Sequence, residues 1–137
     1  MNRVFNRSLQ LVALLTLLVA LPSAANPIHP YSEPISLGDR AIDINDVLEV
    51  AFAATPWTLV QESEELYRGD LSYRGYDVQA QISVIDNTLT MTLDSITETG
   101  CGGNCKKVDP KRASGWLVSL RRNITFELTE RIRDSLQ

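Results

Sequence analysis

Residues 77–94 read DVQAQISVIDNTLTMTLD, and the spacing of their apolar side chains decides the fold. Val78, Ala80, Ile82 and Val84 alternate with Asp77, Gln79, Gln81 and Ser83; after a break, Leu89, Met91 and Leu93 alternate with Thr88, Thr90, Thr92 and Asp94. A period of two sends successive side chains to opposite faces of an extended chain, so each run is a strand with one dry and one wet face. Asp86-Asn87 between the runs is turn chemistry and predicts an antiparallel hairpin.

The same reading extends in both directions. Arg74-Gly75 is a second turn signal, and Trp57 and Leu59 alternate with Thr58 and Val60. Together these predict a four-stranded antiparallel meander over 57–62, 66–74, 76–85 and 88–96. Upstream, Ile44, Val47, Leu48, Ala51 and Phe52 recur at the spacing of one helical face, with Asp43 or Asn45 to cap it and Pro56 to end it. Downstream, Asp109-Pro110 pairs an N-cap residue with proline at the first helical position. Leu117, Leu120, Ile124, Leu128, Ile132 and Leu136 then form one stripe of a long helix, with Trp116 at its edge. Gly115 weakens that helix by about 1 kcal/mol against alanine.

The order is therefore helix, meander, loop, long helix. A sheet with one apolar face needs a cover, and only the two helices supply it. The expectation is a single α+β domain over residues 44–137, a two-layer sandwich in which the N-terminal helix and the long C-terminal helix cover the meander.

The first residues are of another kind. Arg3 and Arg7 precede an apolar run from Leu9 to Leu21, followed by Pro22, Ser23, Ala24 and Ala25, the pattern of a secretory signal peptide over residues 1–25. The run is shorter than the roughly 20 residues a membrane span requires, so cleavage near Ala25 and no remaining span are expected. Residues 26–43 carry several prolines in "NPIHPYSEPISL" and read as an extended lead-in unsuited to a helix or a central strand.

Without Arg3 and Arg7, 11 of the 13 basic residues face all 17 acidic ones, a balance that argues against a nucleic-acid partner. The charge is also polarised. Eight acidic residues and one basic lie between Asn26 and Glu65, and six basic and one acidic between Lys106 and Arg122. Lys106, Lys107, Lys111 and Arg112 form a candidate binding patch for an anionic envelope component or an acidic protein partner.

The two cysteines, Cys101 and Cys105, lie in "TGCGGNCKK", residues 99–107. An exported protein meets oxidising conditions. Three readings compete. A redox pair more often has two intervening residues at a helix start, and a copper site needs a third ligand such as histidine. A disulfide closing a small ring suits the glycines, and it ranks first.

His29, the only histidine, sits in the proline-rich lead-in, which leaves multi-histidine metal sites and a mobile-arm triad without support. Asp43 with Asp46 and Glu64 with Glu65 are the closest carboxylate pairs, and both fit capping or solvated charge better than acid–base catalysis. Asn123-Ile124-Thr125 fits a glycosylation sequon but falls within the expected helix. No phosphate loop, nucleophile elbow or zinc-binding helix motif occurs, and no cofactor or metal is implied.

Val47, Trp57, Gly69, Val78 to Val84, Asp94-Ser95, Trp116, Leu120 and Ile124 together resemble a group of small uncharacterised bacterial envelope proteins and lipoproteins, over about residues 44–128. In that group a helix and a meander precede a terminal helix bearing a tryptophan. This chain departs from it in lacking a lipid-attachment cysteine and in carrying the glycine-rich cysteine loop. The resemblance implies a periplasmic protein and no enzymatic activity. The expected function is a non-catalytic binding or accessory protein of the envelope, monomer or weak homodimer. Its surfaces would be the basic loop–helix region or an open sheet face bearing Tyr67, Tyr73 and Tyr76. The competing reading is a thiol-disulfide or copper-handling protein.

Overall fold

The computed structural model describes residues 29–137; the expected signal peptide and the first residues of the lead-in lie outside them. The elements are β1 (Ile35–Ser36), α1 (Ile44–Ala53), β2 (Thr58–Gln61), β3 (Leu66–Tyr73), β4 (Tyr76–Ile85), β5 (Thr88–Glu98) and α2 (Ser114–Asp134). The strands form one open antiparallel sheet in the order β1-β5-β4-β3-β2. With the two helices, the chain is an α+β protein.

The expected hairpins form. Arg74 and Gly75, and likewise Asp86 and Asn87, all have positive φ, the backbone that a two-residue turn between right-twisted strands requires. Asp43 is the cap of α1, its carboxylate accepting from the amides of Asn45 and Asp46. Asp109 caps a short 3-10 turn, Pro110–Ala113, that leads into α2.

Two expectations are corrected. The sheet has five strands, not four, because residues 35–36 of the lead-in pair with Thr88 and Leu89 at the edge of β5. Proline bars the lead-in from a central strand but not from an edge, and Tyr31, Ile35 and Leu37 are buried in the main core. The second correction concerns the stripe of α2. Leu117, Leu120, Ile124 and Leu128 are buried and Ile132 partly so, but the helix ends at Asp134 and Leu136 is 66% exposed.

The buried core gathers Val47, Leu48, Ala51 and Phe52 of α1 and the α2 stripe with Tyr67, Leu71, Val78, Ala80, Ile82, Leu89 and Met91 of the sheet. Burial alternates along β3, β4 and the first half of β5 as the period of two requires. A bulge then changes the phase: Ala80 faces Leu93 but Gln79 faces Ser95, so Asp94 is an extra residue. It turns Ile96, rather than Ser95, toward the face that carries Val78.

Candidate functional site

A concavity of about 750 Å³ lies along the second half of β5. One wall is the lead-in, with His29, Tyr31 and Ser32; the floor is β5 from Thr92 to Glu98; the far wall is the loop Cys105–Val108 with Pro110. Tyr31 anchors the first wall. Its ring is buried, stacks parallel on His29 with centroids 5.3 Å apart, and burial raises its phenol pKa above the usual value. Arg121 of α2 donates to the Glu33 carbonyl, at 3.1 Å from Nη2, and ties the same segment to the helix.

The floor of this cleft is an open sheet edge. Since β1 pairs only with Thr88 and Leu89, the remainder of β5 has, among the described residues, a strand neighbour on one side alone; Met91 is buried, and Leu93, Ile96 and Glu98 are partly exposed. Ile85 and Thr88 close a two-residue hairpin, so Thr88, Thr90 and Thr92 turn their backbone groups toward β4, while Met91 and Leu93 turn theirs away. Beyond the bulge, Thr99 donates to the Gly75 carbonyl at 2.8 Å. Thr97 and Ser95 accordingly face β4, and Ile96 and Glu98 face the open edge. Among the described residues, no loop or lead-in backbone group bonds to Met91, Leu93, Ile96 or Glu98.

Cys101 and Cys105 pair as a disulfide, Cα atoms 5.2 Å apart. Both sulfurs lie against the Glu98 carbonyl oxygen, at 3.5 and 3.4 Å, which sets the ring at the end of the open edge. Positive φ at Gly100, Gly102 and Gly103 lets the loop close so tightly.

The candidate basic residues divide. Lys106 and Lys107 line the cleft; Lys111 and Arg112 stand on the following turn, where the Arg112 guanidinium lies 5.3 Å above the Tyr76 ring. None of the four is in an ion pair among the described residues. Asp94 and Glu98 bring negative charge to the floor.

The carboxylate pairs separate into other work. Asp43 is a cap and Asp46 meets Arg131 of α2, while Glu64 and Glu65 are exposed in the β2–β3 turn. His29 and Cys105, far apart in sequence, line the same cleft, a proximity that spacing alone does not reveal. No group of three or more His, Cys, Asp or Glu side chains suited to a metal comes together among the described residues.

The tyrosines are not on the open sheet face. Tyr67 is 1% exposed in the core, where burial and the charge of Asp43 raise its pKa. Tyr73 and Tyr76 face each other across the hairpin and both contact Trp116 of α2, at 5.6 and 6.0 Å between centroids. Asn123 is on α2, its amide donating to the Ser119 carbonyl at 2.9 Å.

Fold and site thus define a small α+β domain with an open sheet edge at the floor of a walled cleft, and no described helix is long and apolar enough to cross a membrane. No protein-family model, curated protein or solved structure matches the chain.

Proposed function

We propose that this chain is an exported, non-catalytic binding protein of the bacterial envelope, and that it holds an extended peptide segment of a partner protein along β5. The observation that carries the reading is the open edge at Leu93, Ile96 and Glu98 inside the cleft. An unpaired row of amides and carbonyls is satisfied by another strand, and main-chain bonds supply affinity while flanking walls select side chains. Lys106 and Lys107, free of ion pairs among the described residues, favour an acidic residue on the segment beside the loop. The leader pattern and the disulfide support export, and the resemblance to small envelope proteins supports the compartment.

The test is a selection of displayed linear peptides on the oxidised protein, followed by amide exchange measured by NMR. Bound peptides are expected to protect the amides of Leu93, Ile96 and Glu98. Glu98→Pro, which removes one outward N–H at an edge position that tolerates proline, is expected to abolish binding without unfolding the domain. Peptides that protect other amides, or binding indifferent to Glu98→Pro, refute the reading. A concentration-dependent dimer in light scattering, with the same three amides protected, would instead assign the edge to a second copy.

A further inference from the structure

A second concavity, about 330 Å³, shares no residue with the β5 cleft. It lies between the α1–β2 connection (Ala54 to Trp57), the tip of the β3–β4 hairpin (Leu71, Tyr73, Arg74) and α2 (Trp116, Ser119, Asn123). Both tryptophans of the chain line it, together with a tyrosine.

Arg74 is the informative residue. It has φ +51°, in the left-handed region, at a turn position where asparagine, aspartate or glycine is favoured. The chain uses that cheaper solution at its other two-residue hairpin, Asp86-Asn87. A long β-carbon-bearing side chain here strains the backbone, and such strain gathers at functional sites. The guanidinium lies 5.1 Å above the Tyr73 ring at the rim of the pocket, and no carboxylate is within ion-pair distance among the described residues. Asn123 commits its amide nitrogen to the Ser119 carbonyl, which holds the side chain on the pocket wall, its carbonyl oxygen unengaged among the described residues.

We infer that this pocket binds a sugar ring bearing a carboxylate. The partly exposed rings of Tyr73 and Trp116 meet the C–H face of a pyranose, the Asn123 oxygen and Ser119 hydroxyl meet its hydroxyls, and the Arg74 fork takes the carboxylate in the bidentate geometry that guanidinium offers. The volume is that of one sugar unit at the small end of ligand pockets. This site is independent of the β5 edge and stands or falls without it.

Because both tryptophans line the pocket, intrinsic fluorescence reports occupancy directly. The probes are glucuronic acid and glucose, titrated into the oxidised full-length mature protein. A ligand of this size is expected at a Kd of about 1 mM. Glucose is expected to bind at least about tenfold more weakly, 1.4 kcal/mol. Arg74→Asn is expected to bring glucuronate down to the level of glucose while raising the melting temperature, since it relieves the turn. A merely structural arginine would not move the two readouts in opposite directions. Saturable glucuronate binding unaffected by Arg74→Asn overturns the inference, as does the absence of any emission change with either sugar. Exchange measurements that place bound glucuronate at the β5 edge would overturn it too.

Discussion

Gly69 sits in the middle of β3, with its missing side chain directed at two aromatic rings. A β-carbon built there would stand 3.1 and 3.2 Å from two ring carbons of Phe52 and 3.3 Å from one of Trp57. Those distances are tighter than ordinary van der Waals contact, and neither ring is free to retreat: Phe52 is 3% exposed and Trp57 6%. Gly69→Ala therefore sets two effects against each other. Overpacking a well-filled core costs about 1–3 kcal/mol. The alanine recovers roughly 0.5–1 kcal/mol by reducing the freedom of the unfolded chain. At the middle of both ranges the expected net loss is about 1.25 kcal/mol, which at about 4 °C per kcal/mol for a domain of this size lowers the melting temperature by about 5 °C. Thermal and urea melts by circular dichroism measure it, and tryptophan emission reports whether Trp57 moves. The double variant Gly69→Ala, Phe52→Leu should be less destabilised than the sum of its parts, because the smaller side chain makes room. A Gly69→Ala protein as stable as the parent, or strictly additive with Phe52→Leu, would refute the close-packing account.

Two further expectations rest on the same structure. Replacing Cys101 and Cys105 together by serine removes a short ring closure worth about 2 kcal/mol and should lower the melting temperature by about 8 °C; an unchanged melting temperature with a reduction potential above about −250 mV would move the pair to the redox reading. The phenols of Tyr31 and Tyr67 have pKa values raised by burial, so the fold favours their neutral form. Their contribution is complete below the ordinary tyrosine pKa of about 10 and is lost as pH rises through the higher folded values. Tyr67→Phe should shift the alkaline limb of a stability profile to higher pH, and an unmoved limb in both Tyr31→Phe and Tyr67→Phe contradicts this.

Much of the fold was legible because local chemistry and burial agree. The alternation in β4 and early β5, the two tight turns, the Asp43 cap and the Asp109-Pro110 helix entry each follow from a few adjacent residues. Where legibility failed, the deciding contact was distant in sequence. Ile35 and Ser36 become a strand only because Leu89 and Thr88 offer an edge, and no period shows in so short a segment. Asp94 is a bulge only by reference to Gln79 and Ala80 on the neighbouring strand.

The candidate sites divide in the same way. Sequence alone determined that two cysteines separated by three residues fit a small ring, that basic residues cluster after it, and that the sheet has one apolar face. These are properties of spacing and charge, which the chain carries before it folds. Only the tertiary structure decided that β1 stops after two residues and leaves Leu93, Ile96 and Glu98 at an open edge, that the disulfide abuts Glu98 at the end of that edge, and that His29 and Cys105 line one cleft. It also moved Tyr73 and Tyr76 from the presumed open face to Trp116, because a side chain's face depends on strand register and on which helix covers the sheet. Those are long-range pairings, whose energy arises only once elements separated by tens of residues meet.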